Sequence, residues 1–425
     1  MLGKIINSSI LLLIGNIISR ATIFIINIVA ARILSPEIFG QYMFLRSSVS
    51  VLEGIISASL GNITVKRVSQ YSKDKLELKQ FIYSLFLLNI LIVLIISFFV
   101  FVFSNEIINT FFINEISLKE SIYISLFVLL TTTISSLAQK INIGLSNYKE
   151  MAISSIFNMI CGLPLVLLLV YKYELVGLFL GIGLYFFIDF LMKTFIFYFK
   201  QKIFNYEINK NKTIIYVKEI FRNTSSLIIS AIISSVTFWL FRFIILEKSN
   251  SFSTIASFDI AYQWFTMIMI LTGATTSVAL QMFSSNKENK VTVFKINLLV
   301  NFIIAFFISI IISLFANEIM SIYGKNYEAY FYLIYVISIL TIFATIDSIY
   351  NKFFISNDKL NIIIIHTIIS SLISILFILF YDEDNLSLLL SFAFLLYYIS
   401  FFILDTFYIL FNHKEYFIRE KIHEK

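Results

Sequence analysis

The chain has 425 residues, 59% of them hydrophobic and only 14% charged, with a formal net charge of +6 and a mean hydropathy of +0.90. No soluble globular protein has that balance, and the positive charge reads through its distribution along loops, not as a nucleic-acid patch. The one cysteine, Cys161, lies within an apolar run, which excludes a disulfide framework and a Cys-based metal site.

The first apolar run, Ile10–Ala31, is long enough to cross a bilayer as a helix and carries one cation, Arg20, near its middle. A charge at that depth costs about 2.5–3.5 kcal/mol on insertion scales, so it is rarely placed there without a partner or a task. Lys4 followed by an apolar run has the form of a signal peptide, but no small-residue cleavage site follows and similar runs recur, so a retained helix is expected. The run ends at the turn Ser35-Pro36-Glu37, and Ile38-Phe39-Gly40 opens the next. Twelve such spans are expected, at residues 10–31, 39–65, 81–104, 121–145, 151–171, 175–199, 224–246, 254–283, 296–316, 329–356, 360–381 and 386–411. Their connections are short except for the polar stretch Lys200–Arg222.

Cations crowd one alternate set of loops. That set holds Lys66, Arg67, Lys73, Lys75 and Lys79, then Lys200, Lys202, Lys210, Lys212, Lys218 and Arg222, then Lys287, Lys290 and Lys295. The opposite set holds only Arg32, Lys119, Lys172, Lys248 and Lys325, and the acidic loop Asp382-Glu383-Asp384 falls there too. The positive-inside rule then puts both termini in the cytoplasm.

A shift of about 210–217 residues brings the two halves into register. Ser8-Ser9-Ile10 overlies Ser225-Ser226-Leu227, and Leu87-Leu88-Asn89 overlies Leu299-Val300-Asn301. Asn105-Glu106-Ile107 overlies Asn317-Glu318-Ile319, and Leu145-Ser146-Asn147-Tyr148-Lys149 overlies Ile355-Ser356-Asn357-Asp358-Lys359. Six spans per half is an even number, so the repeats are parallel. The expected organisation is an N-lobe, residues 1–205, and a C-lobe, residues 206–425.

The pattern Leu34-Ser35-Pro36-Glu37-Ile38-Phe39-Gly40-Gln41-Tyr42 after the first span resembles the polysaccharide-transport branch of the MOP exporter superfamily. So do Ile322-Tyr323-Gly324-Lys325-Asn326-Tyr327-Glu328-Ala329 and the Ser-Asn-x-Lys turns after spans four and ten. The resemblance covers essentially the whole chain in span count and loop lengths. It implies an all-α integral membrane protein, twelve transmembrane helices in two six-helix lobes around a central cavity. It also implies the work of an O-antigen or capsule flippase of the Wzx type. Its cargo would be undecaprenyl-diphosphate-linked oligosaccharide, moved by alternating access across the bacterial cytoplasmic (inner) membrane. Membrane lipid and other polysaccharide-assembly membrane proteins are the further partners expected; no nucleic acid, metal or organic cofactor is. Residues and spacing alone imply only a two-lobed transporter.

Ionisable residues inside spans mark pathways or buried pairs. Arg20 in span one, Arg242 in span seven and Arg46 in span two form the candidate substrate-binding set, because a guanidinium fork donates parallel, charge-assisted hydrogen bonds to a diphosphate. The resemblance implies that spans one and seven line the cavity. Arg46 can alternatively pair with Glu53, seven residues on along one helix face. Glu53 and Asp347 are the candidate ion-coupling residues, for H⁺ or Na⁺. Lys140 and Lys193 can snorkel, Asp189 and Lys193 can neutralise each other at i,i+4, and Asp259 and Asp405 read as interfacial or paired. Asn16, Gln139, Asn142, Asn158, Gln263 and Gln281, with Trp239, Tyr262 and Trp264, read mainly as interhelical hydrogen-bonding and interface residues.

No phosphate-cradling G-x-x-x-x-G-K-[ST], H-E-x-x-H or G-x-S-x-G occurs, and of the three histidines His413 and His423 lie in the tail. An enzyme is therefore not expected, and no catalytic residue is assigned. A membrane glycan polymerase or ligase would call for a large outer loop, and the one around Asn105–Glu120 is short. A multidrug exporter of the same superfamily is the nearer alternative, although its cationic substrates call for an acidic cavity. Peptidoglycan-precursor flipping makes the same demand for cations as the favoured reading.

Overall fold

The computed structural model describes residues 2–111, 118–201, 209–222, 225–285, 290–357, 359–381 and 383–412. Its secondary structure is helical. The first half runs α1 (Leu2–Ile33), α2 (Pro36–Tyr71), α3 (Lys75–Val102), α4 (Ser104–Phe111), α5 (Lys119–Gly144), α6 (Tyr148–Gln201) and α7 (Lys210–Arg222). The second runs α8 (Ser225–Ser249), α9 (Ser253–Ser285), α10 (Lys290–Leu314), α11 (Ala316–Ile322), α12 (Lys325–Glu328), α13 (Tyr332–Ser356), α14 (Leu360–Phe380) and α15 (Leu386–Asn412). Asp382, His413, His423 and the rest of the tail lie outside the described residues, as do the side chains of Lys4 and Gln281.

Local chemistry sets the helix ends. Ser35 caps α2, its Oγ accepting from the Ile38 N–H at 3.3 Å, and Pro36 supplies a first residue that needs no hydrogen-bond acceptor. Asp74 caps α3 by accepting from the N–H groups of Leu76 and Glu77. Ten helices among the described residues are long and apolar enough to cross a membrane. One of them, α6, is two passes. Tyr173 (φ −131°) and Glu174 (φ 45°, ψ −121°) leave helical geometry, and the chain folds back on itself there. Gly177 makes this possible: a Cβ on it would lie 1.9 Å from the Leu169 carbonyl oxygen. Between lipid-embedded helices such close approach supplies packing that hydrophobic burial cannot. A further pass, α2, is 36 residues long and has Arg46 and Glu53 in its middle. The twelve expected spans are thereby accounted for.

Helices that the sequence shift aligns are buried to similar extents. Within the most apolar stretch of each helix, 67% of residues are buried in both α5 and α13, 22% in both α3 and α10, and 28% in both α1 and α8. These are spans four and ten, three and nine, one and seven. The motif Asn-Glu-Ile starts the short helices α4 and α11 in corresponding places. Asn89 and Asn301, aligned by the repeat, are both fully buried.

The chain forms two compact units, Met1–Ser235 and Val236–Lys425. In the first, α5 packs between α6 and α2, and α6 holds α1. In the second, α13 is central, against α9, α10 and α15, with α14 on α15. The boundary read from sequence, between residues 205 and 206, would give α7 to the second unit. In the structure α7 stays with the first because it packs on α3 and α2.

Candidate functional site

On α1 the side chains of Ile14, Ile17 and Arg20 recur at helical spacing on one exposed face. Arg20 therefore presents its guanidinium at mid-span. Among the described residues it has no ion-pair partner, but it stands within electrostatic reach of both Arg46 and Glu53 on α2. Arg46 meets Glu53 as a two-pronged pair, Nη1 to Oε1 at 2.9 Å and Nη2 to Oε2 at 3.1 Å. Their side chains are 27% and 20% exposed, so the pair stays open to an incoming group. The α1–α2 face thus carries two cations and one anion. Arg46 bonds to both Glu53 oxygens, so the sequence's alternative of pairing along the helix is realised.

Behind this face lies a sealed polar network. Lys193 and Asp189, on the second half of α6, pair at 2.5 Å and are almost fully buried. Ser135 of α5 donates to Asp189, and Lys193 reaches Gln139 Oε1 at 3.5 Å. Gln139 Nε2 then donates to Asn16 Oδ1 of α1 at 2.9 Å, and Ser19 of α1 donates to Ser155 at 3.1 Å. Asn16 is one turn from Arg20, so these bonds fix the rotation of α1 that presents the guanidinium. Asn142 donates to the Lys193 carbonyl oxygen at 2.8 Å, another interhelical tie.

Arg242 has different surroundings. It lies on α8 and is 6% exposed. Nε donates to Asp259 Oδ1 at 3.1 Å, Nη2 to the same oxygen at 2.6 Å, and Nη1 to the Phe238 carbonyl oxygen at 2.9 Å. Rings of Phe258, Tyr262 and Phe394 lie 5.2–5.5 Å from its Cζ, within cation–π range. The anion-holding role expected of Arg242 is not the one these neighbours serve. They make it a packing centre, with Tyr262 part of the aromatic cage. Trp239 stacks on Phe243 at 5.5 Å and likewise belongs to helix packing.

Asp347 gains company that its sequence position did not announce. It lies on α13, 8% exposed, within electrostatic reach of Asp405 on α15. Asp405 is completely buried, and its Oδ1 is 2.5 Å from His366 Nδ1 on α14. Asn351, one turn along α13, donates to Asp347 Oδ1 at 3.2 Å. Two acidic groups and an imidazole from three helices are thus gathered in one buried place. Among the described residues no three His, Cys, Asp or Glu side chains are arranged to hold a metal ion. Read singly, Asp405 and His366 carry no signal; their shared depth in adjacent spans is the one feature that could have joined them to Asp347.

A family model described as polysaccharide biosynthesis protein matches residues 5–280. Among curated proteins none matches the chain. Among solved structures, the chain is similar to an inward-facing multidrug resistance MATE family transporter of the MOP superfamily, with 14% identity, a TM-score of 0.73 and 94% of each chain covered. It is also similar to a eukaryotic MATE transporter, with 14% identity, a TM-score of 0.69, and 94% of this chain and 93% of that one covered. A MATE family transporter in an outward-facing conformation matches at 13% identity and a TM-score of 0.66, with 95% of each chain covered. At such identities the likeness is one of fold.

Proposed function

The chain belongs to the polysaccharide biosynthesis protein family, and from that premise we propose that it is a transporter, a flippase for undecaprenyl-diphosphate-linked oligosaccharide. The cargo is an O-antigen or capsule repeat unit, moved between leaflets of the bacterial cytoplasmic membrane by alternating access, with both termini of the protein in the cytoplasm. One observation carries the reading: an exposed guanidinium, Arg20, at the middle of a membrane-spanning helix, with Arg46 in electrostatic reach. A diphosphate head needs planar, paired donors. Arg20 supplies them directly, and Arg46 supplies more when the partly exposed Glu53 yields its oxygens. The lipid tail stays in the bilayer throughout.

The reorientation is driven, in this reading, by a proton passing through the Asp347–Asp405 pair. A proton is the smallest cargo such a pair can exchange, and its loss leaves two like charges near each other in a buried place. Glu53 has a different part, competing with the cargo's phosphates for Arg46.

Arg20→Gln in the native host tests the cargo. Losing one charge-assisted hydrogen bond removes about 1.5–3 kcal/mol, or roughly tenfold to a hundredfold in head-group affinity, and losing both prongs removes more. Lipid-linked repeat units should accumulate on the cytoplasmic leaflet and surface polysaccharide should fall, with Arg20→Lys restoring part of it. Normal surface polysaccharide in a well-expressed Arg20→Gln strain would reject the role. Loss of cationic-dye efflux in its place would assign the multidrug reading.

A further inference from the structure

The segment joining the two halves does more than connect them. Helix α7 is too short to span a bilayer, yet it is fastened firmly to the first unit. Thr213, Tyr216 and Ile220, at helical spacing, are buried on one face. Lys212 pairs with Glu77, Tyr216 donates to Glu77, and Gln80 Nε2 bonds to the Asn209 carbonyl oxygen at 2.8 Å. The Tyr216 ring meets Phe81 and Tyr71 edge-on at 5.5 and 5.8 Å.

These contacts also give the helix a direction. Asn209, Lys212, Thr213 and Tyr216 cover about 10 Å of α7 at 1.5 Å per residue. All their α3 partners lie between Glu77 and Phe81, the first two turns of that helix. The contacts do not drift along α3 as α7 advances, so α7 crosses α3 instead of running beside it. A helix crossing the start of a membrane span lies near the plane of the membrane. On α3 the exposed apolar surface begins at this level, with Leu76 and Tyr83 at 41% and 40% exposure, and continues through Leu94.

The face of α7 turned away from α3 is neither polar nor uniformly apolar. Ile214 and Ile215 are 55% and 63% exposed, and exposed Lys218 projects between them on the helix. Exposed lysines continue beyond it at Lys66 near the end of α2 and at Lys73 and Lys75 around the α2–α3 turn. Water is a poor neighbour for two such isoleucines, and hydrocarbon is a poor neighbour for the lysines. The bilayer interface satisfies both, with apolar side chains dipping under the head groups and ammonium groups reaching up to them.

We infer that α7 is a membrane-surface helix that seats on anionic phospholipid head groups, through Ile214 and Ile215 in the acyl boundary and Lys218, Lys73 and Lys75 on lipid phosphates. Charge complementarity selects an anionic lipid surface over an acidic protein, because the cations are interleaved with side chains that need an apolar phase. The seat would hold the connecting segment at the membrane surface during transport. The lysine bias of these loops assigns that surface to the cytoplasmic leaflet.

The test uses the full-length protein in vesicles. A bimane fluorophore is attached to Ile215→Cys in a Cys161→Ser background, which removes the only native thiol. Vesicles are made of phosphatidylcholine alone or of phosphatidylcholine with phosphatidylglycerol. Ile215 and Lys218 face away from α3, so neither substitution disturbs the contacts that hold α7. The expected result is blue-shifted emission and quenching by shallow nitroxide lipids. Quenching should be stronger with labelled phosphatidylglycerol than with labelled phosphatidylcholine, and the preference should fade at high salt. Lys218→Gln should reduce that preference by up to about fivefold, the share of one surface lysine. Water-like emission in both vesicle types would overturn the proposal. Equal quenching by both lipids, indifferent to salt, would overturn its anionic part. A probe wet in vesicles but shielded in native membranes would replace the lipid by a protein partner.

Discussion

Arg46 and Glu53 sit two turns apart on α2 and meet fork to fork, at 2.9 and 3.1 Å, with about a quarter of each side chain still exposed. The second unit also has an arginine–carboxylate pair, Arg242 with Asp259, but that one is enclosed at 7% and 8% side-chain exposure. The same chemistry therefore serves two ends. Burial decides which pair can open to a third party and which can only hold helices together.

Glu53→Gln should leave the fold intact and change the handling of the head group. About a quarter of each side chain meets solvent, so losing the pair costs far less than the roughly 3–5 kcal/mol of a fully enclosed one, and the melting temperature in detergent should fall only a little. Arg46 loses its fixed anion and joins Arg20 as a second available cation. Undecaprenyl diphosphate should then bind several-fold more tightly, measured by native mass spectrometry, while transport slows because release is harder. Unchanged binding would remove Arg46 from the seat.

Asp259→Asn should behave in the opposite way. It leaves the Arg242 charge buried among Phe258, Tyr262 and Phe394 without its carboxylate, a situation that costs about 3–5 kcal/mol. Thermal stability and yield should fall sharply. Pairing Arg242→Met with Asp259→Leu should recover much of the loss, since an apolar pair of similar size leaves no charge to satisfy. Full stability in Asp259→Asn alone would show that water reaches the site.

Hydropathy makes the spans legible in sequence, because lipid demands long apolar helices whatever their neighbours are. The repeat is legible for a similar reason: polar landmarks such as Asn89 and Asn301, or Asn105 and Asn317, stand out against an apolar background. Pairing across helices is not legible in that way. Arg46 and Glu53 share a helix, so their spacing foretells their contact, and so it does for Asp189 and Lys193. Arg242 and Asp259 lie on successive helices, and Asp347, His366 and Asp405 on three. Which faces of those helices turn together depends on packing, and an apolar face with no periodic contrast does not record it. Arg20 and Arg242 lie on repeat-equivalent helices, about one turn apart in register, yet one is exposed and the other enclosed, a difference made by neighbours such as Phe394 that lie far along the chain.

Gly177→Ala should prevent assembly of the first unit. The new Cβ would sit 1.9 Å from the Leu169 carbonyl oxygen and 2.6 Å from its carbon, and both are backbone atoms that cannot swing aside. The two halves of α6 would separate, and with them the Lys193–Gln139–Asn16 bonds that orient α1. Gly273→Ala is the matched comparison, since nothing lies within 4 Å of a Cβ there. It should be neutral or gain up to about 1 kcal/mol from helix propensity. Yield of monodisperse protein in detergent distinguishes them, and normal yield of Gly177→Ala would show that the hairpin can widen.

The carboxyl pair gives the sharpest separation of binding from drive. Asp347→Asn keeps the volume but removes a group that can take up and release a proton. Head-group binding on the α1–α2 face should be unchanged, because no atom of that face is touched. Uphill transport powered by an imposed pH gradient should be lost, and downhill exchange of cargo between leaflets should persist at a reduced rate. Asp405→Asn should reproduce the defect, since the proton belongs to the pair and not to either member. His366→Gln separates positioning from titration: it can still donate to Asp405, so it should retain gradient-driven transport with a shifted pH profile. An infrared band of a protonated carboxyl should be present in the wild-type protein and absent from both asparagine variants. Persistence of that band in Asp347→Asn would place the proton elsewhere, and full gradient-driven transport in the same variant would end the coupling role of the pair.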